Sequence, residues 1–325
     1  MILLWGLPEE TPVAAVRHTL ERLGARVFML DQRAVLQTEV ELSIGTVAGG
    51  MVRSRGQEID LGEVTALYLR PYDTRRLPGV RDRGPRSPAW RHAVTVDEAL
   101  WTWADLTPAL VVNRPSAQAT NNSKPYQAQC VSRAGFETPE TLITTDPEAV
   151  REFWATHHTL VYKSISGVRS IVSTLDVEHV PRLRQVSWCP TQFQRYIPGD
   201  DHRVHVVGNH IFACRITSSA TDYRYATRQA EDVQIQACEI PPDCAARCKT
   251  LVANLGLEIA GVDLRRSPDG AWYCFEVNPS PGFTYYQEAS GQPIDEAIAR
   301  LLAAAKRRAA APVRVHESYR SKHKG

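Results

Sequence analysis

The stretch from Ala260 to Pro279 constrains this chain more than any other. It reads Ala260-Gly261-Val262-Asp263-Leu264, a Ser267-Pro268-Asp269-Gly270 turn, and then Tyr273-Cys274-Phe275-Glu276-Val277-Asn278-Pro279. Two runs that alternate apolar and polar residues on either side of an Asp-Gly pair predict an antiparallel hairpin. With the turn centred between Asp269 and Gly270, a symmetric register sets Asp263 opposite Glu276, with Asn278 two positions further on the same face. Carboxylates facing each other inside apolar strands repel, so a cation or a shared proton has to compensate them. Carboxylate and amide oxygens without neighbouring His or Cys suit Mg²⁺ or Mn²⁺, ions that keep coordination positions open for water and phosphate.

The rest of the composition sets bounds. At 325 residues and 43% hydrophobic content the chain can form two or three packed subdomains. No apolar run approaches the roughly 20 residues of a membrane span, and Met1 to Leu4 lacks the basic start and length of a signal peptide, so a cytoplasmic location is expected. Seven Cys without Cys-x-x-Cys spacing argue for reduced thiols, and Cys238, Cys244 and Cys248 lack the His or further Cys of a zinc site. A net charge of +2, from 38 basic and 36 acidic residues, argues against a general nucleic-acid surface. Only the tail beyond Lys306 is strongly basic, and it reads as a solvated, disordered end.

Along the chain, Ile2 to Trp5, Pro12 to Leu23 and Arg26 to Leu30 read as a βαβ beginning. Val64 to Leu69 is a further buried strand delivering Arg70 at its carboxyl end, where open α/β sheets bind ligands, so Arg70 is a candidate for gripping an anion. Arg75 to Pro88 reads as an exposed loop, and Ser87 to Leu106 as a helix anchored by Trp90, Trp101 and Trp103. A boundary falls near Val111 to Pro115, followed by a helix capped at Asn121 to Lys124 and ending at Ala134-Gly135. Leu160 to Lys163 is a strand ending in Lys before the small-residue loop Ser164 to Ser170, which offers a cation and backbone N–H groups to phosphate. Neither Gly-x-x-x-x-Gly-Lys-Ser/Thr nor Gly-x-Gly-x-x-Gly occurs, which disfavours Walker-type nucleotidases and dinucleotide-binding dehydrogenases.

Gln192 to Ile197 is a strand broken by Pro198-Gly199, and in the next strand Arg203 and His205 share a face. The return strand, Ile211 to Ile216, is expected to present Arg215 near that face. Two Arg on adjacent strands with no interleaved acid call for an anionic ligand, such as a triphosphate or an acyl phosphate. Pro242 to Leu257 and Pro293 to Arg308 read as amphipathic helices covering the sheet. The ten His are scattered, and no Ser/His/Asp or Cys/His arrangement emerges.

Taken together these pieces resemble the ATP-grasp superfamily, most closely the RimK-like carboxylate–amine ligases and related peptide-tailoring enzymes, over about residues 113 to 303. The resemblance rests on Asn113-Arg114-Pro115 with Lys124, Tyr162-Lys163 and its loop, and Gln194-Arg195-Tyr196-Ile197 with Asp201-His202-Arg203. Asp222-Tyr223-Arg224, Asp263 and Glu276-Val277-Asn278-Pro279-Ser280-Pro281 complete it. It implies an α/β N-terminal domain (1–112) followed by an α+β ATP-grasp fold, with ATP held between a lid lobe (113–197) and a metal-binding catalytic lobe (198–308). A basic tail (309–325) would follow.

The resemblance also implies site roles. Lys124 and Lys163 would contact the phosphates, with the loop carrying Ser166 and Gly167 closing over them. The backbone of Gln194, Arg195, Tyr196 and Ile197 would read the adenine, and Asp201 the ribose. Asp263, Glu276 and Asn278 would hold one or two Mg²⁺ or Mn²⁺ ions. Arg203, Arg215 and Arg224, with Lys163, would surround the γ-phosphate and the substrate carboxylate, while Arg70, Ser280 and Tyr285 would shape the substrate pocket. Two departures stand out: Arg195 replaces a commonly acidic residue, and the phosphate loop is poor in glycine.

The implied reaction joins a carboxylate to an amine, a peptide and an amino acid being the first expectation, through an acyl phosphate with release of ADP and phosphate. A kinase acting on a small hydroxylated substrate, or a non-catalytic nucleotide-binding adaptor, would use the same hairpin. No membrane or nucleic-acid partner is expected, and a homo-oligomer is compatible with the sequence.

Overall fold

The computed structural model describes residues 1–164, 172–218 and 233–306. It opens with the expected βαβ unit: β1 (Ile2–Gly6), α1 (Thr11–Arg22) and β2 (Val27–Asp31). An antiparallel sheet of β3 (Thr38–Ile44), β4 (Ala48–Ser54) and β5 (Gln57–Asp60) follows. Then come β6 (Ala66–Arg70), α2 (Pro78–Arg81), α3 (Pro88–Leu106) and β7 (Leu110–Val112). β1, β2, β6 and β7 form one parallel sheet in the order β2-β1-β6-β7. Every residue of β1 is buried, as a strand covered on both faces requires. Ser87 caps α3 by accepting a hydrogen bond from the Trp90 N–H, and Trp101 packs edge-to-face on Trp5. The stretch read as an exposed loop differs from expectation: it contains α2 and buries Leu77 and Val80.

The middle of the chain carries α4 (Pro115–Gln118), α5 (Lys124–Arg133), β8 (Thr141–Thr144), α6 (Pro147–His157), β9 (Leu160–Ser164), β10 (Ser173–Leu175) and β11 (Thr191–Arg195). These four strands form an antiparallel sheet in the order β10-β9-β11-β8. Its inner face packs Phe193, Leu160 and Leu175 against Val150 of α6. The helix expected from an Asn/Ser cap starts without one: Ser123 makes no capping bond, and Pro125 in the first turn fixes the helical start instead.

The last sheet is antiparallel, in the order β14-β13-β12-β15-β16: β12 (Asp200–Val207), β13 (His210–Ser218), β14 (Val233–Cys238), β15 (Ile259–Arg266) and β16 (Trp272–Asn278). One face packs on α7 (Pro242–Asn254) through Cys244, Cys248 and Leu251. On the other, Cys214, Ile216 and Ile235 meet Tyr286 of α8 (Thr284–Ser290). α9 (Ile294–Ala303) then returns to α1, burying Ile294, Ile298 and Leu302 with Val13, Val16 and Leu20. It ends at Ala303, short of the expected Arg308, which with the rest of the basic tail lies outside the described residues. Among the described residues no helix is long and apolar enough to cross a membrane, and all seven Cys are free thiols.

Half-buried Asp97 on α3 yields a test of this packing. Burial pushes its carboxyl up to about 6 from an ordinary 3.8, opposed by a hydrogen bond with Thr74 and reinforced by Asp73. Between those values the folded chain binds more protons than the unfolded one, so stability falls as pH rises through this window and stays lower above it. Asp97→Asn should therefore stabilise the protein by about 1–3 kcal/mol at neutral pH and by little near the ordinary carboxylate value. Paired thermal melts at the two pH values check this; an equal gain at both would contradict it.

Candidate active site

A cleft opens between the β8–β11 sheet and the β12–β16 sheet. It is lined by Lys163, Gln194, Arg195, Tyr196 and Ile197 from one side, and by Asp201, Asp263, Arg265, Phe275 and Glu276 from the other. The connection between the sheets is Pro198-Gly199. Gly199 has φ +138°, and a Cβ there would sit 2.1 Å from the Arg266 carbonyl oxygen, so only glycine fits where the chain crosses β15.

The hairpin pairs Asp263 with Glu276 as expected, but by a different route. Near the turn Arg266 pairs with Trp272 and Leu264 with Cys274, a register centred on Asp269. A β-bulge between Asp263 and Leu264 then shifts the pairing, which brings Glu276 rather than Phe275 opposite Asp263. Phe275 and Glu276, neighbours in sequence, consequently both line the cleft. Asn278 pairs with Gly261, and its Oδ1 accepts a hydrogen bond from the Ser280 N–H at 2.9 Å.

Protein cations meet this pair of acids. Arg203 Nη1 donates to Asp263 Oδ1 at 2.6 Å, and Lys124 Nζ lies 3.6 Å from Glu276 Oε1. Arg203 is buried, and its guanidinium lies across the sheet with its centre 5.5 Å from the Tyr286 ring. That path crosses Gly261, where a Cβ would fall 2.0 Å from Arg203 Nη2. Lys124 is aimed by Gln127 on the same face of α5: the Gln127 amide donates to the Val277 carbonyl at 2.8 Å and accepts from the Val277 N–H at 2.9 Å, clamping the helix to the edge of β16. His205, beneath Arg203, is fully buried and held neutral, its pKa pushed well down by desolvation and then by the Arg203 charge.

The donor set fits a hard divalent cation: two carboxylates and one amide oxygen, with neither sulfur nor imidazole among them. Among the described residues no group of three or more His, Cys, Asp or Glu is placed to hold a metal ion, the hairpin included, so this donor set depends on the Asn278 amide for its third ligand.

Other expected site residues fall into three groups. Asp201 and the Gln194 to Ile197 strand do line the cleft, and Lys163 is buried in it on β9. Arg195 pairs outward with Glu140 at 2.5 Å and with the Tyr273 hydroxyl at 3.2 Å, leaving the strand backbone to face the cleft. The expected placement of Arg215 is corrected, and Arg70 has partners within the chain. Arg215 is registered with His202, so strand alternation puts it on the face opposite Arg203, half-exposed and paired with Asp200 at 3.0 Å. Arg70, half-buried, is ion-paired with Glu10 at 2.6 Å and donates to the Pro281 carbonyl at 3.1 Å, so its guanidinium is already engaged at the exit of the hairpin. Neither Arg203 nor Arg215 lacks an acid, so the argument that the two need an external anion does not hold. Ser280 lines a neighbouring cleft with Trp101, Gln118 and Asn278, and Tyr285 is exposed, packed edge-to-face on Tyr286. Ser166, Gly167 and Arg224 lie outside the described residues.

Sequence reasoning missed Arg265. It grips Asp201 with two hydrogen bonds of 2.7 and 2.8 Å, donates to the Ile197 carbonyl at 2.8 Å, and lies against the rings of Tyr196 and Phe275 at 5.6 and 5.4 Å. The available signal was its spacing of two from Asp263, which assigns both to one face. Phe275 was missed because only the bulge turns it into the cleft.

A family model described as the RimK-like ATP-grasp domain matches residues 121–302. The glutathione synthetase of Thermosynechococcus vestitus is 24% identical over 285 residues, covering 79% of this chain and 84% of that protein. The ATP-grasp ligase PsnB, solved with a phosphomimetic variant of a minimal precursor, Mg and ADP, superposes with a TM-score of 0.76 and 27% identity, covering 93% of this chain and 97% of that one. A RiPP-associated ATP-grasp ligase of Chryseobacterium gregarium, solved with ADP and a leader and core peptide, gives a TM-score of 0.78 at 20% identity, over 95% and 99% of the two chains.

The Arg203 path generates the second test. Gly261→Ala forces the guanidinium off the sheet and out of reach of Asp263, and should cost about 1–3 kcal/mol of stability in urea titrations. Adding Arg203→Leu to Gly261→Ala removes the clash, so the double variant should lose less than the two single losses combined. Strict additivity would show that Gly261 is not there to admit Arg203.

Proposed function

The chain belongs to the RimK-like ATP-grasp family and has its two-lobed fold, and from that membership we propose how its residues divide the work of an ATP-dependent carboxylate–amine ligase. The observation that carries this reading is the bulged hairpin, which sets Asp263 against Glu276 on the cleft face with Arg203 and Lys124 already beside them. Residues 1–112 serve as the N-terminal domain, 113–197 as the lid lobe and 198–308 as the catalytic lobe.

In this reading a substrate carboxylate attacks the γ-phosphorus of ATP, forming an acyl phosphate and releasing ADP. An amine then displaces phosphate to leave the amide. No protein nucleophile is required, so catalysis rests on positioning and on neutralising charge. The backbone of Gln194 to Ile197 meets the adenine edge. Asp201, oriented by Arg265, accepts from the ribose hydroxyls with the lone pairs that Arg265 leaves unused. Lys124 and Lys163 bind phosphate oxygens, and Arg203 steadies the oxygens of the transferred group. Asp263, Glu276 and Asn278 would hold Mg²⁺, which would supply charge neutralisation to the phosphates.

Ser280 and Tyr285 flank the substrate side. Arg70 acts there as a positioning residue through Pro281, and Arg215 is left out of the catalytic set. The carboxylate-bearing substrate is a peptide, a reading supported by the precursor peptides bound in the two similar ligases, and the amine comes from an amino acid or a side chain. The free thiols agree with a cytoplasmic setting.

Glu276→Ala provides the test. ADP release, assayed with paired amino acids and short peptides and with mass detection of the conjugate, should fall by about a thousandfold or more, while far-UV circular dichroism stays unchanged. Undiminished turnover would refute the metal assignment. A phosphorylated product with no amide would identify a kinase.

A further inference from the structure

The segment leaving β6 concentrates arginine that the site described above does not use. Arg75, Arg76, Arg81, Arg83, Arg86 and Arg91 are all exposed, and the only acid between the first and last of them is Asp82. Arg75 pairs with Asp73 and Arg81 with Asp82, each at 2.8 Å. Arg76, Arg83, Arg86 and Arg91 make no ion pair among the described residues. The whole chain, this segment included, carries only +2, so this is a local field, not the edge of a generally basic surface.

The backbone that carries these side chains is ordered. Backbone hydrogen bonds run through it without a long gap: Arg76 to Asp73, Leu77 to Thr74, Val80 and Arg81 to Leu77, Arg83 to Val80, Gly84 to Arg81, Ser87 to Gly84, and Arg91 to Ser87. Thr74, Leu77 and Val80 are buried beneath it. Its point of departure is fixed against the reaction centre, because Arg70 donates to the Pro281 carbonyl just past Asn278. A backbone ordered before binding loses little entropy when a partner arrives, and each planar guanidinium can donate two parallel hydrogen bonds to a carboxylate.

We propose that residues 75–91 form the docking surface for an Asp/Glu-rich segment of the peptide whose carboxylate is activated in the cleft. This rests on the peptide-ligase reading and adds a recognition surface outside the cleft. Polyanionic carboxylate suits the patch better than nucleic acid. Single-stranded nucleic acid is held by aromatic side chains interleaved with the basic ones, whereas here only Tyr72 is exposed beside the arginines and Trp90 is half-buried.

The test uses the full chain with Arg76, Arg83, Arg86 and Arg91 each replaced by Ser, and a companion with the same four replaced by Lys. Fluorescence anisotropy is followed with a labelled oligoglutamate peptide, its oligoglutamine counterpart, and a single-stranded oligonucleotide of equal formal charge. The unsubstituted protein should bind oligoglutamate in a salt-sensitive manner and ignore oligoglutamine. The Ser variant should lose about tenfold or more in affinity, with the Lys variant recovering part of it. Binding of a non-hydrolysable ATP analogue and the melting temperature should be unchanged in both variants. Equal oligoglutamate affinity in the Ser variant, or tighter binding of the oligonucleotide, would overturn the proposal. Failure of the unsubstituted protein to bind the ATP analogue would instead count against the ligase reading.

Discussion

Two carboxylates can face each other between apolar strands only if positive charge reaches them, and much of the second half of the chain is organised around that condition. Arg203 reaches Asp263 by lying flat across a position with no side chain, Gly261. Lys124 comes from another part of the sequence, and its approach to Glu276 depends on the Gln127 clamp onto Val277. The two acids are therefore not a bare acidic pocket; each already has a cation of the protein beside it. Such pairing avoids the large cost of burying uncompensated charge.

The same economy governs how the N-terminal domain is attached. Asn113, immediately after β7, donates to the Ile259 and Pro279 carbonyls and accepts from the Glu258 and Ile259 N–H groups, so one buried amide joins the start of β15 to the end of β16. Arg114 donates to the carbonyls of Ala104, Asp105, Thr107 and Ala109, satisfying the open C-terminal end of α3. With Arg70 on Pro281 and α9 packed on α1, both ends of the catalytic hairpin are referenced to the parallel sheet. A substrate surface on the first domain can thus hold a fixed geometry relative to Asn278.

What could be read from the sequence alone follows the range of the forces involved. Strand alternation and turn chemistry are local, so the hairpin, the shared face of Arg203 and His205, and the β1–α1–β2 unit were legible. The Asp263–Glu276 pairing was reached although the turn is centred on Asp269, because a bulge further along restores the offset; a pattern of alternation contains no sign of such an insertion. Arg215 failed for a related reason. Its face depends on the register of the Gly208-Asn209 turn, and a shift of one residue inverts every side chain. The partners of Arg70 were not legible, because Glu10 and Pro281 are distant in sequence and no local rule brings them together.

Arg265 shows how the Gln194 to Ile197 end of the cleft is tied to the β12–β16 sheet. It binds Asp201 on β12 and the Ile197 carbonyl at the end of the hinge strand, while its guanidinium is sandwiched near Tyr196 and Phe275. A hinge fixed in this way, with Gly199 pressed against the Arg266 carbonyl, is not a free pivot. β9 is paired with β11 from Leu160 to Ser164, so movement of one toward the catalytic sheet carries the other, and the Arg265 bond to the Ile197 carbonyl is the one of its three that ties this pair to β15. The two bonds to Asp201 lie within the catalytic sheet, where Asp201 and Arg265 are directly paired, and they hold the guanidinium in place for that contact. In the proposed ligase Arg265 would thereby couple base and ribose recognition to lobe geometry, although it is neither a proposed metal ligand nor part of the proposed phosphate-binding set.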